Sequence, residues 1–216
     1  MLACMGEQLS ADETAKRAVR AAVRARRRSM SDEDRASARS ELTRRLVELV
    51  ERAGARSVTC FASLPDEPDT GGFLEWASAH DVAVLLPVTR PNGAMNWVLS
   101  GEGFVAGPLG IPEPVGPPVH PTALAGVDLM LIPACAVDRS GVRLGWGGGY
   151  FDRFLGGLVP RPPVYAVVFE EDLVPELPRE AHDVPVVGVV TPGGTRRLGG
   201  SGDPCPHEGT HGGHGL

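Results

Sequence analysis

The sequence predicts a single three-layer α/β domain, Rossmann-like, in which a mainly parallel sheet is flanked by helices. Short apolar runs alternate with amphipathic helical patterns, as in parallel sheets that helices cover on both faces. The 216 residues are enough for one domain with its own core, and 42% hydrophobic with 22% charged residues is typical of soluble globular proteins. We expect the domain at residues 14–192, after a flexible leader at 1–13 and before a disordered Gly- and His-rich tail at 193–216.

A basic amphipathic helix is predicted at residues 13–28. Its apolar residues form a narrow stripe, and Lys16, Arg20 and Arg24 recur at every fourth position on one face. Such a row is typical of a solvated helix face or of a nucleic-acid-binding surface. The net charge of −6 and the lack of interleaved aromatic residues argue against nucleic acid. Lys16 is the only lysine in the chain, which makes it a candidate phosphate ligand because ammonium and guanidinium groups bind phosphate differently.

The following elements alternate between helices and strands. Ser31 is a suitable N-cap for a helix that runs to about Arg52 and ends at Gly54. Thr70 is the expected cap of a third helix, and a short fourth helix begins near Phe151. The predicted strands are residues 58–64, 82–88, 127–137, 164–169 and 186–190, with an antiparallel strand at 95–99. The proline-rich segment 107–121 is expected to be a stiff connector.

A glycine-rich loop follows the predicted strand at 127–137. Its glycines are Gly145, Gly147, Gly148 and Gly149. A strand, a glycine-rich turn and a helix in this order direct backbone N–H groups and a helix N-terminus at an anion, and Arg143 adds a planar cation suited to phosphate. The loop matches neither a Walker A sequence nor the dinucleotide fingerprint. We interpret it as a phosphate or nucleotide cradle, with a merely flexible loop as the alternative.

Carboxylates follow several predicted strands, at the edge where open α/β sheets bind ligands. A nucleoside triphosphate is bound with Mg²⁺, which takes one or two carboxylates in addition to phosphate oxygens. Asp152, beside the glycine loop, is the first candidate ligand, Asp183 the second and Asp138 the third. Each of them is alternatively a cap or turn residue. His182 is a candidate general base, although a histidine beside an aspartate in a turn is more often structural.

The cysteines indicate a reducing compartment. The four of them are scattered without a C-x-x-C pair, so neither a disulfide nor a zinc site is expected. Cys60 and Cys135 lie within apolar strands and should be inert thiols. The sequence contains no recognisable signal peptide and no apolar run long enough to span a membrane. We therefore expect a cytoplasmic protein.

The residues from Asp138 to Arg153 resemble the nucleotide-loop signature of the 5-formyltetrahydrofolate cyclo-ligase family, also called 5,10-methenyltetrahydrofolate synthetase. That signature runs approximately F-D-x-x-G-x-R-L-G-x-G-x-G-Y-Y-D-x-x-L. The resemblance extends over roughly residues 15–191. Further matches, in chain order, are Lys16 to Arg20, Asp66-Glu67, Ile111-Pro112-Glu113-Pro114, His182-Asp183 and Thr191.

The resemblance implies ATP- and Mg²⁺-dependent closure of 5-formyltetrahydrofolate to 5,10-methenyltetrahydrofolate, with release of ADP and phosphate after phosphorylation of the formyl oxygen. It implies Lys16 and Arg143 as catalytic residues, and Asp152 and Asp183 as ligands of Mg²⁺. Ala62, Glu67 and Tyr150 are implied to bind the folate. The residues implied to bind ATP are Lys16, Arg20, Arg143, Leu144, Gly145, Trp146, Gly147, Gly148, Gly149 and Tyr150.

Two departures from the family pattern bear on these roles. Some members have lysine at the position of Gly148, and some have tryptophan at the position of Leu109. Lys16 and Arg143 would then carry more of the phosphate binding, and Trp146 or Tyr150 would supply the stacking. We expect a monomer whose partner is 5-formyltetrahydrofolate, free or polyglutamylated, with no nucleic acid and no membrane. A non-catalytic nucleotide- or folate-binding protein of the same fold is the alternative function.

Overall fold

A seven-stranded sheet forms the centre of this computed structural model, which describes residues 10–90, 93–107, 112–180 and 183–198. The strands are β1 Ser57–Thr59, β2 Ala83–Thr89, β3 Met95–Leu99, β4 Phe104–Ala106, β5 Pro112–Pro114, β6 Leu129–Pro133, β7 Ala136–Asp138, β8 Arg143–Leu144, β9 Val164–Val167, β10 Leu173–Val174, β11 Gly188–Thr191 and β12 Gly194–Arg197. The helices are α1 Ala11–Ser29, α2 Asp32–Ala53, α3 Gly71–Ala79 and α4 Tyr150–Gly157. Across the described segments, every helix is too short or too polar to cross a lipid bilayer.

The central sheet is mainly parallel, as the sequence predicts. Its spatial order is β12-β11-β9-β6-β1-β2-β3, in which the five inner strands are parallel and each edge strand is antiparallel to its neighbour. Val58 of β1, for example, lies opposite Val84 on one side and Leu129 on the other. Two small sheets, β10-β7-β8 and β4-β5, flank it. The α/β fold class is therefore confirmed.

The core has two halves because both faces of the sheet are covered. In β6, Leu129 and Leu131 face the half that contains α2 and α3, whereas Met130 and Ile132 face the half that contains α4. Successive side chains of a strand point to opposite faces, so a strand covered on both sides has no polar position. This explains the uninterrupted apolar run that predicted β6.

The connections place a topological switch point between β1 and β6. From β1 the chain passes through α3 to β2 on one side, and from β6 it passes through α4 to β9 on the other. In open α/β sheets a crevice opens at the carboxyl ends of two such strands, and ligands bind there. The segments that leave these ends are therefore the expected walls of a binding site.

Two predicted strands and the predicted connector differ from expectation in the structure. The run 58–64 forms a strand only at Ser57–Thr59, and its later residues leave the sheet as an irregular segment. The run 127–137 divides into β6 and β7, because β7 pairs with β8 and β10 instead of continuing in the central sheet. The connector 107–121 includes β5, which pairs with β4.

The helix caps and the chain ends also differ from expectation in part. Ser31 and Gly54 cap α2 as predicted. Thr70 is the N-cap residue of α3, as predicted, but its hydroxyl donates to the Phe61 carbonyl and makes no capping bond to the helix. Helix α1 begins at Ala11, earlier than the expected domain boundary. Strand β12 lies within the segment expected to be tail, because Gly194–Arg197 complete the sheet edge beside β11. The rest of the tail, from 199, lies outside the described residues.

Candidate active site

A cavity of about 560 Å³ opens at the carboxyl ends of β1, β2 and β6. Its apolar wall comes from the residues that follow or end these strands, Phe61, Ala62, Leu86, Pro87 and Pro133. A cavity of this size suits a small organic ligand, and apolar walls with a few polar groups are typical of such sites. The cavity therefore lies at the switch point that the topology indicates.

The glycine loop forms one end of this cavity, between β8 and α4. Gly147 and Gly149 have φ values of +105° and +62°, conformations that side-chain-bearing residues rarely adopt. Gly149 is the N-cap of α4, and no side chain caps its N–H groups. A Cβ atom on Gly148 would lie 2.7 Å from the ring of Tyr150. The loop therefore brings backbone N–H groups and the positive end of a helix to the cavity wall, which suits an anion.

Arg143 lies beneath this loop and pairs with Asp152 of α4. Its Nη2 donates to Asp152 Oδ1 at 2.5 Å, and the residue is only 4% exposed. Its Nε is buried and has no hydrogen-bond partner. Both residues line the cavity. A buried guanidinium with an unpaired N–H group has remaining capacity for an anionic ligand.

Lys16 and Arg20 reach the other side of the loop from α1. Lys16 is 6% exposed, and its Nζ lies 3.2 Å from Glu180 and 3.6 Å from Asp183. The Nε of Arg20 donates to the Gly145 carbonyl at 3.0 Å. Lys16 and Arg20 are therefore not on a solvated face, because they pack against the segment around Asp183 and against the loop, whereas Arg24, the third member of the predicted row, is exposed.

Glu67 lines the same cavity, beside Trp146 of the glycine loop. Its carboxylate accepts the N–H of Leu64 at 3.0 Å. Burial raises its pKa above the ordinary 4.5, although the Leu64 N–H, Arg27 and Trp146 act in the opposite direction. The indole Nε1 of Trp146 is buried without a partner of good hydrogen-bonding geometry. A partly desolvated carboxylate beside apolar walls is suited to accept N–H groups of a planar ligand.

Arg27 connects the elements around the cavity, although no sequence motif singles it out. It is 1% exposed and donates to Asp172 at 2.8 Å and to the Ala134 carbonyl at 2.9 Å. Its guanidinium carbon also lies 5.2 Å from the ring centroid of Trp146. The only sequence signal was its spacing, since positions 16, 20, 23 and 27 share one face of a helix. Arg27 thus fixes α1 against β6 and the glycine loop.

The structure brings most of the predicted site residues together around this one cavity. The predicted residues that line it are Ala62, Glu67, Arg143, Gly145, Trp146, Gly148, Gly149, Tyr150 and Asp152. The predicted residues that are not in its lining are Lys16, Arg20, Leu144, Gly147 and Asp183. Of these, Lys16 and Asp183 contact each other, and Arg20 contacts the loop.

Other sequence candidates have structural roles or lie outside the described residues. The Asp138 carboxylate accepts the N–H groups of Ser140, Val142 and Leu177, which makes it a turn residue. Burial raises the pKa of the Cys60 thiol to about 12 and that of Cys135 to about 11, which agrees with inert thiols. His182 lies outside the described residues.

The predicted metal ligands are the carboxylates of Asp152 and Asp183. Within the described segments, no three or more His, Cys, Asp or Glu side chains are grouped as in an all-protein metal centre. Mg²⁺ bound with a nucleotide requires only one or two carboxylates. Asp152 fits this role because it lines the cavity in the first turn of α4, beside the glycine loop.

Comparison with known proteins gives a consistent result. The sequence profile of the 5-formyltetrahydrofolate cyclo-ligase family matches residues 12–192. The 5-formyltetrahydrofolate cyclo-ligase of Mycolicibacterium smegmatis is 35% identical over 147 residues, 65% of this chain and 76% of that protein. The Escherichia coli K12 protein of the same name is 31% identical over 177 residues, 79% of this chain and 96% of that protein.

A solved structure of similar fold is the 5,10-methenyltetrahydrofolate synthetase of Aquifex aeolicus. It superimposes with a TM-score of 0.73 and 28% sequence identity, covering 91% of this chain and 99% of that chain. The family profile covers most of the chain, including the glycine loop, Arg27 and Glu67. The resemblance inferred from the residues is confirmed, and this chain belongs to the 5-formyltetrahydrofolate cyclo-ligase family.

Proposed function

We propose that this chain catalyses the ATP- and Mg²⁺-dependent cyclisation of 5-formyltetrahydrofolate to 5,10-methenyltetrahydrofolate, with release of ADP and phosphate. The observation that carries the proposal is that one cavity joins an anion-binding loop at the N-terminus of α4 to the partly buried carboxylate of Glu67. A reaction between a phosphate donor and a pterin needs both features within one site. Membership of the cyclo-ligase family supports the same reaction.

The folate would occupy the end of the cavity that contains Glu67. The amino group and ring N–H of a pterin are neighbouring donors, and a carboxylate accepts both of them. Phe61 and Ala62 line the same cavity as Glu67, and Tyr150 lines it from the start of α4. The apolar wall would cover the ring system, while Glu67 would determine its orientation.

ATP phosphates would lie along the glycine loop, against its N–H groups and the guanidinium of Arg143. Lys16 and Arg20 would add positive charge from α1. In the structure, both predicted metal carboxylates contact predicted phosphate cations, since Asp152 pairs with Arg143 and Asp183 with Lys16. Bound Mg²⁺ would give each of these carboxylates a second positive partner, and bound phosphate would give Arg143 and Lys16 a second negative partner. Asp152 and Asp183 would hold Mg²⁺, which would supply positive charge to the phosphate oxygens.

The proposed chemistry begins with attack of the formyl oxygen on the γ-phosphorus. The bond from that phosphorus to the bridging oxygen breaks, and ADP leaves with the electron pair. The N10 lone pair then attacks the activated formyl carbon, N10 loses its proton, and the carbon–oxygen bond breaks to release phosphate. Phosphorylation is needed because an amide-like oxygen is otherwise a poor leaving group. The protein mainly aligns the reactants, which can contribute about 7–11 kcal/mol.

The direct test is to incubate the protein with 5-formyltetrahydrofolate, ATP and Mg²⁺ and to record the absorbance of the methenyl product. We expect a rise in absorbance that requires ATP and is matched by release of ADP. Binding of both compounds to folded protein without this rise would favour the alternative, a non-catalytic nucleotide- or folate-binding protein. The substrate is expected to be free or polyglutamylated, and the enzyme is expected to be monomeric and cytoplasmic.

Lys16→Gln is expected to raise the KM for ATP by about 10-fold or more, because a charged hydrogen bond to phosphate is lost. The measurement is initial-rate kinetics with ATP varied at saturating folate. Arg17→Gln is the matched control, since Arg17 is exposed on the same helix and should leave the kinetics unchanged. Unaltered kinetics in the Lys16 variant would exclude this residue from ATP binding.

Folate binding should weaken on acidification because of Glu67. Only the ionised carboxylate accepts both pterin donors, so affinity is present above the pKa of Glu67 and is lost as the pH falls through it. Since burial raises that pKa, the loss should begin at a higher pH than an ordinary carboxyl pKa of 4.5 predicts. Calorimetric titrations across this pH range check the prediction. Glu67→Gln should bind weakly with no such dependence, and a wild-type profile in that variant would contradict it.

A further inference from the structure

Arg24 is a cavity residue to which neither the sequence motifs nor the family resemblance assigns a role. It follows Lys16 and Arg20 on α1 by regular steps of four residues. Four residues exceed one helical turn by about 40°, so the row rotates gradually around the helix. Lys16 is accordingly buried, Arg20 is half-buried and Arg24 is exposed. Arg24 is the member of the row that lines the cavity.

The guanidinium of Arg24 lies over the ring of Trp146 in the glycine loop. Its central carbon is 5.3 Å from the ring centroid, within the range of a cation–π contact. Such a contact orients the guanidinium without using its N–H donors. Trp146 also affects the pKa of Glu67 and directly follows Gly145 in the loop. Arg24 therefore lies next to a residue of the glycine loop that also contacts Glu67.

The N–H donors of Arg24 have no hydrogen bond or ion pair within the part of the chain that the structure describes. This distinguishes it from its neighbours on the same face. Arg20 donates to Glu13 and Gly145, and Arg27 donates to Asp172. The second guanidinium in the cavity lining, Arg143, also has an unpartnered Nε. The two arginines of the cavity thus have unused donors beside the glycine loop.

We propose that Arg24 contacts the terminal phosphoryl group of ATP, the group that is transferred, and that it is a catalytic residue. This inference rests on the proposed function. During transfer the charge spreads over three phosphoryl oxygens, and a planar guanidinium can donate to two of them. In the proposed reaction this group moves from ATP to the formyl oxygen of the folate. Arg24 lines the cavity in which this transfer would occur, whereas Lys16 is not in its lining.

The test compares binding of ADP and of adenylyl imidodiphosphate, a non-hydrolysable ATP analogue that retains the terminal phosphoryl group. We expect Arg24→Gln to lower the affinity for the analogue about 10- to 100-fold while changing the affinity for ADP less than about twofold. Isothermal titration calorimetry with Mg²⁺ and without folate measures both without turnover. The kcat for methenyl formation should fall as well. Arg17→Gln should match the wild type in every measurement.

Three results would overturn the assignment. Equal losses for both nucleotides would place Arg24 at the inner phosphates, and unchanged nucleotide affinities would remove it from ATP binding. Weaker binding of 5-formyltetrahydrofolate alone would instead indicate contact with the glutamate carboxylates of the folate. In each case the wild type still binds nucleotide and forms product, so the proposed function stands. A wild-type protein that binds neither nucleotide would contradict both proposals.

Discussion

Arg143→Gln should keep the fold and lose about two to three orders of magnitude in kcat. This is the usual cost of removing one preorganised donor that stabilises charge in a transition state. The guanidinium of Arg143 is buried, aligned by Asp152 and adjacent to the glycine loop, so it needs little rearrangement to meet phosphate. Glutamine retains one donor for Asp152, which limits the structural damage. Single-turnover kinetics at saturating ATP and folate measure the effect on the chemical step.

Arg143→Lys is the matched variant for this experiment. Lysine keeps the positive charge but loses the planar fork that binds two oxygens. We therefore expect a kcat between those of the wild type and Arg143→Gln. Near-wild-type turnover in Arg143→Gln, with an unchanged urea unfolding midpoint, would show that Arg143 is not part of the catalytic machinery. A much lower urea concentration at the unfolding midpoint would indicate that activity was lost because the variant unfolds.

Arg27→Met should lower the free energy of unfolding by about 3–5 kcal/mol, the typical cost of removing one partner from a buried ion pair. Asp172 is fully buried, and Arg27 is its buried cationic partner. The substitution also leaves the carbonyl of Ala134 without this donor and removes the guanidinium over Trp146. Urea denaturation followed by circular dichroism measures the change.

Two further variants keep this prediction testable if Arg27→Met does not fold. Arg26 also donates to Asp172 but is much more exposed, so Arg26→Met should cost clearly less. The double variant Arg27→Met, Asp172→Leu removes both members of the pair and should recover part of the lost stability, because no uncompensated buried charge remains. A single Arg27 variant as stable as the wild type would contradict the role assigned to this residue.

The parts of the structure that follow local rules could be predicted from the sequence. Ser31 and Gly54 bound α2 because caps act within one turn of the helix. The glycine loop could be recognised because its geometry requires glycine at Gly147 and Gly149, where φ is positive. The order of strands and helices sufficed for the parallel sheet, since each apolar run reflects burial on both faces. These signals lie within a few residues of the feature they predict.

The parts that depend on distant partners could not be predicted. Burial of Arg27 depends on Asp172, which is 145 residues away. The division of the run 127–137 into β6 and β7 depends on pairing with β8 and β10, and apolar residues suit either arrangement. The end of β1 after Thr59 also depends on distant residues. Phe61 and Ala62 are apolar like the strand before them, but they line the cavity instead of continuing the sheet. A charged helix face likewise gives no sign of what it packs against.

The most direct test of the central claim uses 5-formyltetrahydrofolate labelled with ¹⁸O in the formyl group. If the cavity joins the folate to the terminal phosphoryl group of ATP, the formyl oxygen leaves as part of phosphate. We predict that mass spectrometry of the inorganic phosphate after complete turnover will show one ¹⁸O atom for each methenyl product formed. Unlabelled phosphate, with the label released into water, would show that the formyl oxygen is never phosphorylated and would contradict this account of the site.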